Sequence, residues 1–137
     1  MPLDRVDRAT SPPVLIRRHA PAALVALTSA IAVIGWHGEV DIATAPACRR
    51  AALDAIGADV RTVVLDLREV RFVDAAGLSV VALLVRACQA RGQTLFLVDP
   101  SPAVRTTLHR SGLADVTRVV TAETLGEPTR RLLAARD

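Results

Sequence analysis

The chain has 137 residues, enough for one domain with a substantial core, and 51% of them are hydrophobic, which excludes a disordered chain. Its formal charge is only +3, and all 17 basic residues are arginines, so the high pI follows from the arginine pKa more than from an excess of charge. These arginines are spread from Arg5 to Arg136, with doublets only at Arg17-Arg18, Arg49-Arg50 and Arg130-Arg131, and no aromatic side chains alternate with them to stack bases. That distribution argues against a nucleic-acid partner.

In chain order, MPLDRVDRATSPP at 1–13 reads as polar and flexible, and VLIRR at 14–18 as a candidate short extra strand. The leader is drawn through residue 21, with the folded domain over 22–137. From Ala22 to Trp36 the chain carries no charge for 15 residues, fewer than the ~20 that a membrane helix needs. This stretch also contains Thr28, Ser29 and Gly35 and has no cleavage-site pattern at the extreme N-terminus, which argues against a signal peptide. A hairpin of Ala23–Leu27 and Ala30–His37, joined near Thr28-Ser29, explains it better.

GEVDIATAP then gives a turn-like Gly38, acids at Glu39 and Asp41, and a helix that Thr44 caps, with Pro46 in its first turn and Gly57 as its stop. TVVLDL at 62–67 and TLFLVD at 94–99 read as β-branched or apolar strands. Between them a helix runs from about Ala75 to Ala90 and closes at Gly92, with Leu78, Val81, Leu84, Val85 and Cys88 on a wide apolar stripe. Ser101, Pro102 and Gly112 mark both ends of another helix. VTRVV at 116–120 is a final strand, and the tail from Thr121 is a helix broken or restarted around Gly126 and Pro128. The order ββαβαβαβα predicts a single α/β domain: a mixed sheet of four to five strands, partly parallel, with about four helices.

Cys48 and Cys88 stand alone in apolar helical patterns, without the short paired spacings of zinc or redox motifs, and read as buried thiols of a reducing, cytoplasmic protein. His37, Glu39 and Asp41 alternate like metal ligands, but the turn expected at Gly38 spoils the geometry, so no metal is expected. His19 and His109 have no Ser, Cys or carboxylate at motif spacing. No enzyme and no cofactor is expected.

The richest stretch is FVDAAGLSV at 72–80, where Asp74 is placed to cap a helix by accepting from the amides of Ala76 or Gly77. Free amides and the helix dipole make such an end a potential anion or phosphate site, although no Gly-rich phosphate loop is present. A hydroxyl at position 76, in the first turn and facing out, would carry a phosphate held there.

GEVDIATAP, VVLDLREVRFVDAAGLSVV and LFLVDPSPAVRTTLHRSGL together resemble the STAS domain, the module of bacterial anti-sigma factor antagonists, over about residues 23 to 122. The resemblance implies a STAS-like fold and a protein that binds an anti-sigma factor of the serine-kinase type and frees a sigma factor for transcription. In the family the helix start reads Asp-Ser-Ser-Gly-Leu, or keeps a Ser or Thr at the second hydroxyl position; that hydroxyl is phosphorylated by the anti-sigma factor, which releases the complex. Here Asp74, Gly77 and Leu78 match, whereas Ala75 and Ala76 replace the hydroxyls. The expected consequence is a docking surface without its off switch, formed by Asp41, Thr44, Asp74, Ala75, Ala76, Gly77, Leu78 and Ser79.

Several residues have two readings. Ser79 is a weak candidate for a replacement phosphoacceptor, lying deeper in the helix where a kinase reaches it poorly, and otherwise a helix-surface serine. Thr44 is a helix cap or a contact site. Asp41 is an interface residue or satisfies a turn locally. Asp66 is solvated on an uncovered sheet face or belongs to an acidic patch. The alternative role implied by the resemblance is a STAS subunit of a lipid-transport or stress-sensing assembly, which needs no phosphate cycle. Oligomeric state is left open.

Overall fold

The computed structural model describes residues 15–19, 23–28, 30–56 and 59–136. In chain order the elements are β1 (Leu15–His19), β2 (Ala23–Leu27), β3 (Ile31–Val40), α1 (Ala45–Ile56), β4 (Thr62–Val73), α2 (Ala75–Arg91), β5 (Thr94–Val98), α3 (Pro102–Arg110), β6 (Arg118–Val120) and α4 (Glu127–Arg136). They form one six-stranded sheet in the order β1-β2-β3-β4-β5-β6. The first three strands are antiparallel, and β3, β4, β5 and β6 run parallel.

The α/β class and mixed sheet agree with expectation, but six strands replace the four to five expected. The difference lies at one sheet edge, where the candidate strand in VLIRR, a short segment with a weak pattern of its own, is held by its neighbour. Leu15–His19 pairs along the whole of β2, and Arg118–Val120 adds to β5. β1 thus falls inside the stretch drawn as leader, while residues 1–14, Ser29 and Gly57 lie outside the described residues. β6 begins at Arg118, two residues later than expected, because Leu113–Val116 closes into a 3-10 turn.

Two strands also run further than their patterns indicate. β3 continues through Gly38 to Val40, and β4 past Leu67 to Val73, because each supplies the parallel partner of the other. Gly38 is therefore no turn. Its φ of 77° is absorbed in a strand whose register slips between Gly35 and His37 and again between Gly38 and Glu39.

Alternation along the strands divides the core into two layers. Val63, Leu65 and Leu67 of β4 point with Ile34, Trp36 and Leu97 into the larger cluster, which Cys48, Ala51 and Ala52 of α1, Val81, Leu84 and Cys88 of α2, and Val104 and Leu108 of α3 cover. Val64 points the other way, with Ala26, Val33 and Val98, against Leu125, Leu132 and Leu133. Burying each such Val or Leu side chain contributes roughly 1.5–3 kcal/mol.

The helix ends follow the sequence signals closely. Gly92 closes α2 in the left-handed conformation with φ 68°, its successor's amide bonding back to the Cys88 carbonyl at 2.9 Å. The Ser101 hydroxyl accepts from the Val104 amide at 3.3 Å, with Pro102 at the first position of α3. The tail is a restarted helix. A 3-10 turn at Ala122–Thr124 precedes α4, where Pro128 sits in the first turn and needs no intrahelical partner for its missing N–H.

Candidate functional site

β3 and β4 end side by side, and α1 and α2 start from those ends. The Asp74 amide donates to the Val40 carbonyl at 3.1 Å, which ties the segment after β4 to the end of β3. Gly77 then passes so close that a Cβ there would meet the Val40 carbonyl oxygen at 2.7 Å, and only glycine fits. GEVD and DAAGL, 36 residues apart at their first residues (38 and 74), are thereby brought into one patch.

Within this patch each expected residue has a definite place. The Asp74 carboxylate accepts from the Ala76 amide at 2.9 Å and from the Gly77 amide at 3.2 Å, as expected of a cap. Those two amides are therefore not free for an incoming anion, and the cap already supplies the negative charge that the helix dipole favours. Ala75 is exposed, Ala76 half-buried, and Gly77 buried. Leu78 is half-buried and packs on the larger core cluster rather than standing out. Ser79 is exposed, and its hydroxyl donates to the Ala75 carbonyl at 3.0 Å.

Asp41 and Thr44 form a closed turn ahead of α1. The Asp41 carboxylate accepts from the amides of Ala43 at 3.0 Å and Thr44 at 3.2 Å. The Thr44 hydroxyl accepts from the Asp41 amide at 3.0 Å and donates to the Glu39 carbonyl at 2.8 Å. Thr44 thus does not cap the helix in the expected manner: its oxygen faces back toward the strand, because β3 runs on to Val40 and leaves the Asp41 amide and Glu39 carbonyl within its reach. Asp41 holds the turn before the helix through the amides of Ala43 and Thr44, and the Thr44 carbonyl accepts the first helical bond, from the Cys48 amide at 3.1 Å.

Asp66 is neither solvated nor in this patch. It is 1% exposed and pairs with Arg68, whose Nε reaches Oδ1 at 2.9 Å and whose NH2 reaches Oδ2 at 2.8 Å. His37 and Glu39 are exposed, and no group of three His, Cys, Asp or Glu side chains comes together among the described residues. The two thiols are buried: desolvation, with the Asp41 charge adding to it, pushes Cys48 up to about 12. Desolvation likewise pushes Cys88 up to about 11, against a smaller opposing effect of Arg91. No described helix is long and apolar enough to cross a membrane.

Two features of the patch escaped the sequence reading. Ile42 is 81% exposed and Phe72 52% exposed, both large apolar residues at the strand ends beside the helix starts. In addition, Ile42, Ala45, Pro46 and Arg49 face Ala76, Ser79, Val80, Leu83 and Arg86 across a groove between α1 and α2. The spacing 76, 79, 80, 83 marks one helical face, a signal available in the sequence; the opposing α1 face was not, since it depends on how the helices lie together.

A family model described as the STAS domain matches residues 23–127. Among solved structures, an anti-sigma factor antagonist from Mycobacterium paratuberculosis is 28% identical, with a TM-score of 0.66, covering 93% of this chain and 99% of its own. The anti-sigma factor antagonist SpoIIAA in its unphosphorylated form is 25% identical, TM-score 0.62, over 81% of this chain and 90% of that one. The Bacillus cell fate determinant SpoIIAA in the phosphorylated form is 26% identical, TM-score 0.57, over 81% and 94%. A sulfate transporter family protein from Wolinella succinogenes, 24% identical with a TM-score of 0.58 over 65% and 75%, shares the fold. No curated protein matches the chain in sequence.

Proposed function

The chain belongs to the STAS domain family, and from that membership we propose that it is a cytoplasmic anti-sigma factor antagonist that stays competent to bind. It captures a kinase-type anti-sigma factor through the patch of Asp41, Thr44, Asp74, Ala75, Ala76, Gly77, Leu78 and Ser79, and so frees a sigma factor for transcription. The observation that supports this reading is Ala76, half-buried in the first turn of α2 beside an intact Asp74 cap. The cap geometry is kept while the atom that would accept a phosphoryl group is missing.

A phosphate at this position would add roughly −1.5 to −2 charges. It would lie next to the Asp74 carboxylate and on an apolar surface, where burial against a partner costs several kcal/mol, on the order of the whole free energy of a micromolar complex. The methyl group leaves the surface in its neutral, docking state. SpoIIAA, a structural relative, exists in both an unphosphorylated and a phosphorylated form.

The test is to mix the protein with each kinase-type anti-sigma factor of its own organism, with and without ATP, and to follow complex formation and intact mass. The expected result is a complex that survives ATP with no mass gain. Stoichiometric phosphate on the wild-type chain would end the claim of a lost switch. Indifference to every such anti-sigma factor, with recovery from cells inside a large transport or stress assembly, would replace this role with that of an accessory subunit.

A further inference from the structure

The groove between α1 and α2 has an uneven chemistry. Most of its lining is apolar or small, from Ile42, Ala45, Pro46, Ala76, Val80 and Leu83, and Arg49 of α1 and Arg86 of α2 line it as well. Both arginines are exposed, neither has an ion-pair partner among the described residues, and no acid lines the groove. What sets these two apart is their place: both line one apolar groove, whereas Arg17, Arg68 and Arg131 are paired with Asp54, Asp66 and Glu127.

We infer that this groove seats an acidic amphipathic helix of a partner protein, with its apolar face on Ile42, Val80 and Leu83 and its acidic side chains toward Arg49 and Arg86. Length supports a helix. Ala76 to Arg86 spans ten helical steps, about 15 Å or three turns, so a partner segment of about ten residues covers the row. Small side chains at the two helix starts, Ala45 and Ala76, favour close approach, and Arg49 and Arg86 follow further along their helices. Two unmatched guanidiniums, one from each helix that lines the groove, favour acidic side chains on its occupant and disfavour basic ones. The inference rests on the reading of the α2 start as a partner surface, since Ala76 lies both in that patch and on the groove wall.

The experiment uses the full chain labelled for NMR and two stapled helical peptides of about ten residues, alike in their Leu and Ala face and differing only in Glu or Lys on its flanks. The acidic peptide is expected to shift the amides of Ala76, Ser79 and Leu83, and to bind about tenfold more weakly or worse to the Arg49→Glu/Arg86→Glu variant. Both substitutions are on exposed residues, and circular dichroism checks that the variant is folded. The inference is overturned if the acidic peptide shifts nothing or shifts another face, if the basic peptide binds equally, or if the variant binds as wild type does. It is also overturned if the chain self-associates and the double substitution abolishes this, since the occupant is then a second copy. Anti-sigma capture separates the two readings: loss in Ala76→Glu with full retention in Arg49→Glu/Arg86→Glu overturns the groove and leaves the proposed function standing.

Discussion

Gly77 and Val40 meet so closely that a methyl group on the glycine would stand 2.7 Å from the Val40 carbonyl oxygen, and equally near the Val73 side chain. Backbone cannot give way there as a side-chain tip can, because the same carbonyl accepts the Asp74 amide at 3.1 Å. Gly77→Ala is expected to destabilise the fold by about 1–3 kcal/mol and to disturb the start of α2. Urea unfolding followed by the fluorescence of Trp36, the single and buried tryptophan, measures it. An unchanged midpoint would mean that the start of α2 moves off the end of β3 at little cost.

Asp74 acts on the same helix end through hydrogen bonds. Asp74→Ala is expected to cost ~1 kcal/mol, whereas Asp74→Asn, which keeps an accepting oxygen, should cost only a few tenths. Equal losses in the two variants would show that the negative charge, and not the cap hydrogen bonds to Ala76 and Gly77, holds the turn.

Restoring a hydroxyl tests the switch. Ala76→Ser, made in a Ser79→Ala background, is expected to gain one phosphate from a kinase-type anti-sigma factor and then to release it. The Ser79→Ala chain alone should stay inert. Phosphate on wild type that disappears with Ser79→Ala would identify Ser79 as the replacement acceptor despite its bond to the Ala75 carbonyl.

Much of this was legible in the sequence, and the parts that were not share a cause. Helix boundaries at Asp74, Gly92, Ser101 and Pro102 were readable because capping is decided within a few residues. The ends of β3 and β4 were not. A strand's length depends on its partner, and the β3 extension past Gly38 exists only because Glu69 to Val73 lies alongside. Thr44 was misread for the same reason: its hydroxyl bonds to a strand end that local pattern placed in a turn. The resemblance in DAAGL identified the patch, but the groove facing Ala76 required knowing which side of α1 turns toward α2.

Alkaline stability offers an unusually clean measurement. The chain has no lysine and no tyrosine, so between about pH 9 and 11 its two thiols are the side chains that titrate. Burial raises Cys48 to about 12 and Cys88 to about 11 in the folded state. The unfolded thiols ionise first, near ~8.5, so their contribution to stability is full below that pH and is lost as pH rises toward the folded values. Stability should fall by roughly 1 kcal/mol per pH unit per thiol in this window. Cys48→Ala and Cys88→Ala together should flatten the slope, and an identical slope in the double variant would place its origin elsewhere.

The buried pair of Asp66 and Arg68 predicts a large effect from a partly exposed residue. Arg68→Ala removes two of the bonds that compensate a carboxylate 1% exposed, and is expected to cost about 3 kcal/mol. Arg68→Lys should recover only part of that, since an ammonium cannot form the two-pronged contact. A loss below about 1 kcal/mol in Arg68→Ala would mean that water reaches Asp66.

The sheet runs β1-β2-β3-β4-β5-β6 without a single inverted position. Each strand therefore finds its neighbour already synthesised, but the three parallel pairings each close only after a helical crossover, through α1, α2 and α3 in turn. The antiparallel hairpin half can thus form as soon as it is made, whereas the edge of β3 waits for a whole helix to be synthesised before β4 covers it, and that interval is when the chain is most exposed to other molecules.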